Sequence, residues 1–161
     1  MRNTSLWIAA ALAALACGCN AKDSAGKKPP GAVSADDLGT FTCKTVQNAS
    51  AAGSNSPCVE ATDHFEPAVP TVYVTYRTRD LPKSGDTYAI EWIATDVGSA
   101  APANHVIATT THTVEDLPAA ANSYTVNGYL TKPTNGWPVG TYRVDIKLGD
   151  KLATSAQFAI K

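Results

Sequence analysis

The sequence predicts an all-β domain, an antiparallel two-sheet sandwich of about seven strands, placed behind a cleaved leader and a flexible linker. Three observations carry this. Apolar residues recur with a period of two in segment after segment, and no segment past the leader shows a helical period. Clusters of Gly, Pro, Asn and Asp break the chain between those segments, as turns between short strands require. Each segment has one apolar face, and half-buried sheets bury such faces by packing on one another.

The clearest segment is Trp137 to Ile160. Tyr142, Val144, Ile146 and Leu148 alternate with Thr141, Arg143, Asp145 and Lys147, the pattern of a half-buried strand. Gly149-Asp150 reverses the chain, and Leu152, Ala156, Phe158 and Ile160 give a second strand with one apolar face. Upstream, Thr40 to Asn48 reads as a first short strand, and Thr71 to Thr78 as a strand with Val72, Val74 and Tyr76 on one face. In Thr87 to Thr95, Tyr88, Ile90, Trp92 and Ala94 share a face. The opposite face also carries Ile93, so this strand is expected to be interior and covered on both sides. His105 to Glu115 alternates through Val106, Ala108, Thr110 and Val114. Ser123 to Thr131 places Tyr124, Val126 and Leu130 on one face, with Gly128 marking a bulge or bend.

Composition narrows the function classes. Charged residues make up 17% of the 161 and the formal net charge is −1. No basic field exists to gather nucleic acid. Nothing supports a hydrolase or calls for a cofactor: G-x-S-x-G, G-x-x-x-x-G-K-[ST] and H-E-x-x-H are all missing. His105 and His112 lie seven apart, so on one unbroken strand they face opposite ways, and only a bend between them could bring them together for a metal. No catalytic residue and no metal ligand is therefore assigned from the sequence, and an enzyme is not expected.

The first residues read as a targeting segment. Arg2 gives a positive start and Leu6 to Ala16 an apolar run, too short to span a bilayer. The run ends in small residues at a cysteine, Leu-Ala-Ala-Leu-Ala-Cys-Gly-Cys. Here residues 1–20 resemble bacterial lipoproteins, whose signal peptide ends at a cysteine that becomes the acylated N-terminus. The resemblance implies a leader over 1–16 and lipidation at Cys17, which abuts the run. The alternative is Cys19, which would leave an even pair, Cys43 and Cys58, in the mature chain. It also implies the outer membrane of the bacterial envelope, because Gly18 or Asn20, not Asp, would follow the acylated residue. An ordinary secretory leader would instead leave a soluble domain. Residues 17–39, rich in Lys, Pro, Gly, Ser and Asp, then form the lipidated N-terminus and tether.

The domain proper is expected over 40–161. Its first part, 40–65, is braced by a disulfide between Cys43 and Cys58, the simplest reading of a cysteine pair in an exported chain. Two details resemble immunoglobulin-like and fibronectin-III-like modules: Trp92 in mid-strand, and Gly140-x-Tyr142-x-Val144, which is similar to the tyrosine corner of the penultimate strand. Val144 stands where the second cysteine of antibody domains would be. This resemblance is architectural and implies no activity.

The candidate contact residues are Trp137 in a corner loop, and Tyr73, Tyr129 and Arg143, which face away from the presumed core. For Trp137 a structural role, plugging the end of the sandwich, competes with a binding one. The expected function is a membrane-anchored, non-catalytic binding or assembly module that meets an envelope protein or glycan. The alternatives are a small periplasmic inhibitor or chaperone-like factor, which requires a protruding loop or an exposed apolar edge strand, and, last, a small envelope hydrolase.

Overall fold

The computed structural model describes residues 38–46 and 58–161. The leader, Cys17, Cys19, most of the tether and residues 47–57, between the two disulfide cysteines, lie outside the described residues.

Among the described residues nine strands form, seven long and two short: β1 (Gly39–Val46), β2 (Cys58–Ala61), β3 (His64–Phe65), β4 (Thr71–Thr78), β5 (Thr87–Asp96), β6 (His105–Thr113), β7 (Tyr124–Thr131), β8 (Gly140–Leu148) and β9 (Lys151–Ile160). They build a four-stranded sheet, ordered β2-β1-β4-β7, and a five-stranded sheet, ordered β3-β9-β8-β5-β6. The seven long strands are those expected. The short pair lies in the 40–65 region, where four- and two-residue segments carry too few apolar positions to show a period. All pairings are antiparallel except one: β3 runs parallel to β9, His64 opposite Ala159 and Phe65 opposite Ile160. The N-terminal stretch thus serves both sheets. It pairs with β4 through β1, crosses at Thr62–Asp63, and joins the other sheet through β3. Mutual hydrogen bonds pin the crossing: Thr62 N–H donates to the Thr42 carbonyl at 2.9 Å, and Thr42 Oγ1 donates to the Thr62 carbonyl at 2.6 Å.

The core lies between the sheets and follows the period-two reading. Val72, Val74 and Val126 come from one sheet, and Tyr88, Ile90, Trp92, Val144, Ile146, Phe158 and Ile160 from the other. Gly128 does not mark a bulge. The β4–β7 ladder runs through it without a register shift, Val74 opposite Gly128. Its missing side chain instead admits Ile90 from the facing sheet.

Three ladder irregularities re-aim side chains. Between Trp92 and Ile93 one extra residue, Ile107, enters β6, so Val106 falls opposite Ile93 on the outer face. Near Lys147 one extra residue, Ala153, enters β9, so Leu152 pairs with Lys147 and stands 59% exposed rather than in the core. Thr95 is the third such insertion, between Ala94 and Asp96. The bulge in β6 also corrects the histidines. With one residue added between them, His105 (opposite Ala94) and His112 (opposite Tyr88) share the core-side face, though at opposite ends of the strand. β5 is interior, flanked by β8 and β6, but its outer face is only partly covered. Ile93 is buried between Val106 and Arg143 in register, whereas Ala89, Glu91 and Thr95 are half-buried.

Candidate functional site

The four residues proposed as contacts separate into three places. Trp137 goes inside. It is 5% exposed, its Nε1–H donates to the Val69 carbonyl at 2.8 Å, and its ring meets Tyr142 edge-on with centroids 5.9 Å apart. With its one polar atom paired and its ring buried, it plugs the end of the sandwich rather than standing out as a stacking platform.

The corner beside it has the geometry its spacing suggested. Tyr142, 2% exposed, donates its hydroxyl to the Pro138 carbonyl at 2.6 Å and stacks on Phe158 at 5.1 Å. Burial pushes its hydroxyl pKa up. Gly140 is required there, since a β-carbon would collide with the Asp96 carbonyl oxygen.

Arg143 lies on the outer face of the five-stranded sheet. Its Nε donates to Asp145 Oδ1 at 2.9 Å, and Ser155 Oγ donates to the same oxygen at 2.7 Å. Glu91 and Lys147 pair beside it at 2.7 Å. Arg143, Asp145, Glu91 and Lys147 are thus paired among themselves on this face.

Tyr73 and Tyr129 lie on the other sheet, directly opposite one another on β4 and β7, with ring centroids 6.3 Å apart. Tyr129 is 56% exposed. Toward β7 the cross-strand neighbours on this outer face are small and polar: Thr71 opposite Thr131, and Thr75, whose Oγ1 donates to Asn127 Oδ1 at 2.8 Å; toward β1, Tyr73 stands opposite the disulfide-bonded Cys43 and Thr75 opposite Phe41. Sequence alternation put the two tyrosines on an outer face. Only the register made them neighbours, and placed Arg143 on the opposite side of the molecule.

The disulfide is present. Cys43 and Cys58 join β1 to β2 with Cα atoms 5.8 Å apart, and both residues are buried. Nearby, between β1 and β9, runs an open groove of about 420 Å³. Thr40, Phe41, Asp63, Ser155 and Gln157 are among its walls. The Asp63 carboxylate is held below its ordinary pKa by a hydrogen bond with the His64 ring. Thr40 Oγ1 and Thr154 Oγ1 close one seam between the sheets at 2.6 Å. Sequence reading missed this groove, because its walls come from three segments far apart in the chain, none with a motif.

Among the described residues no three of His, Cys, Asp and Glu converge, and no helix is long and apolar enough to cross a membrane. His112 Nε2 lies 3.0 Å from the Tyr124 hydroxyl, a structural contact across the sandwich edge.

Strand order, corner and core together define the class: an immunoglobulin-like β-sandwich. β1, β4 and β7 form one sheet, β9, β8, β5 and β6 the other, and β3 lies parallel to the last strand. Trp92 is buried on β5, and Val144 on β8 fills the place of the missing inter-sheet cysteine. Among solved structures, the chain is similar to an immunoglobulin-like protein from Pseudomonas aeruginosa, at 13% identity and a TM-score of 0.46 over 78% of this chain and 94% of that one. No family model and no curated protein matches the chain.

Proposed function

We propose that this protein is a non-catalytic binding or assembly module of the bacterial envelope, held to the outer membrane by acylation at Cys17 (or Cys19) and engaging its partner through the Tyr73–Tyr129 face. One observation carries the reading: two tyrosines packed side by side on an outer sheet face, one more than half exposed, between the Cys43–Cys58 disulfide on one side and the open β7 edge on the other. Apolar ring area left in water gains free energy when a partner covers it, and a tyrosine hydroxyl still finds a hydrogen-bond partner at the edge of such a contact. A sheet supplies the rigidity, so little side-chain freedom is lost on binding. The partner chemistry that fits is a protein surface or a glycan ring presenting an apolar face with polar edges. Anchoring rests on the run and cysteines of residues 1–20, and the tether gives the domain reach.

A photo-crosslinking phenylalanine analogue at Tyr129, in the native host, tests the contact. A discrete protein or glycan adduct, missing when the analogue replaces Lys151 on the other sheet, supports it. Equal labelling from both positions overturns it. Intact-mass measurement of the membrane fraction tests the anchor: a diacylglyceryl mass beginning at Cys17 or Cys19 supports it, and an unacylated chain overturns it.

The inhibitor or chaperone-like reading draws on a different feature. β6 is an exposed edge strand, with Val106 49% and Ile107 37% exposed. Beyond those two residues it is threonine rather than apolar.

A further inference from the structure

The edge of the five-stranded sheet lacks the devices that keep sheet edges apart. β6 is last in its sheet, with β5 on one side and no described strand on the other, so one row of its N–H and C=O groups faces outward. Edge strands are commonly blunted by Lys, Pro, an inward charge, a bulge or shortness. His105–Thr113 is nine residues long and contains no Lys, Arg, Asp, Glu or Pro. Its single bulge, at Ile107, sits near one end. From Ala108 to Thr113 it pairs with β5 without interruption, and the Val114 N–H carries the line on to the Asp86 carbonyl at 2.8 Å. The straight segment is thus Ala108–Val114.

That segment is complementary to itself. Antiparallel pairing of two copies about a two-fold axis requires residue i to oppose j while j opposes i. Centred on Thr111, the pairing uses the whole straight segment. It sets Thr109 against the second copy's Thr113, Thr111 against its own counterpart, and Thr110 against His112. On the outer face the row is threonine throughout, and Thr109, Thr111 and Thr113 are all exposed. Opposed threonines are favourable cross-strand pairs, and no like charges meet. Other partners of stated chemistry are disfavoured: an acidic or basic peptide finds no counter-charge on β6, and an apolar one finds no unbroken apolar row.

We infer that β6 is a homodimer edge, joining two copies of this chain through Ala108–Val114 into one continuous ten-stranded sheet in antiparallel register about Thr111. The Tyr73–Tyr129 face lies on the other sheet of each copy and stays open in the dimer, so the inference stands apart from the proposed partner contact.

Sedimentation equilibrium of the full chain in density-matched detergent tests it. The wild-type chain is expected as a dimer. Thr111→Lys brings two ammonium groups together on the axis, and Thr109→Lys with Thr113→Lys opposes like charges twice; both are expected as monomers. Thr109→Lys with Thr113→Glu opposes unlike charges twice and is expected to remain dimeric. All the altered residues are exposed, and the dimeric double variant, carrying as many changes as the monomeric one, controls for folding. A monomeric wild type, a dimer that survives every variant, or a Lys/Glu variant that is monomeric despite a native near-ultraviolet spectrum would each overturn the inference.

Discussion

Ile90 and Gly128 face each other across the two sheets so closely that a β-carbon on Gly128 would lie 2.8 Å from Ile90 Cδ1 and 3.2 Å from its Cγ2. Val74 Cγ1, on the neighbouring strand, stands at 3.2 Å as well. The glycine is present for approach rather than for backbone freedom, and the isoleucine fills what it leaves open.

Gly128→Ala therefore overpacks this point. The expected loss is about 1–3 kcal/mol by denaturant unfolding, the range for an added methyl in a filled core. Ile90→Val, which removes Cδ1, should cost about 0.5–1.5 kcal/mol alone. Together the two should cost less than their sum, since the second change removes the atom the first collides with. Strict additivity would show that the contact is not the cause.

Tyr142→Phe isolates the corner. The ring keeps Trp137 and Phe158 as neighbours, and only the 2.6 Å hydrogen bond to the Pro138 carbonyl is lost. The expected loss is about 1–2 kcal/mol, a net hydrogen bond plus a carbonyl left without its partner. It should be read as a lower denaturation midpoint at unchanged slope. A loss near zero would mean that water takes the hydroxyl's place.

The tyrosine cluster predicts a weakness to base. Burial, reinforced by the nearby Tyr76 and Tyr124 hydroxyls, pushes Tyr88 up to about 12 from its ordinary 10.0. Burial also raises Tyr124, which stacks on it at 5.7 Å. Below pH 10 these groups are neutral in both states and contribute no pH dependence. Above pH 10 the unfolded chain releases the Tyr88 proton while the folded chain keeps it, so the unfolded state binds fewer protons and stability falls. The fall should run from about pH 10 to about pH 12 and then level off as the folded tyrosine ionises. Unfolding free energies measured across that range should show it, and Tyr88→Phe should flatten that part of the curve.

What the sequence made legible was the alternation: the seven long strands, Trp92 in the core, the corner at Tyr142 and the cysteine pair. What it hid was register. Leu152 and Val106 fit the apolar phase of their strands, yet single-residue bulges at Ala153 and Ile107 turn both outward. A bulge leaves no compositional mark in a run of small residues and threonines. Tyr73 and Tyr129 are 56 positions apart, and only the β4–β7 ladder brings them together. Trp137 read equally well as a ligand platform or as a plug, because a corner loop does not say which way its side chains turn. β3 is two residues long, and its identity comes entirely from the strand it joins.

That short parallel pair sets a timetable. His64–Phe65 waits for Ala159–Ile160, about 95 positions further along, and Ile160 is fully buried in the core. Loop closure over that span precedes the contacts that reward it, so the fold belongs among the slow, non-local β topologies. A chain delivered N-terminus first holds β3 without its partner, and the β1–β9 groove without one wall, until β9 arrives. During that interval the N-terminal strands are an open template for other chains.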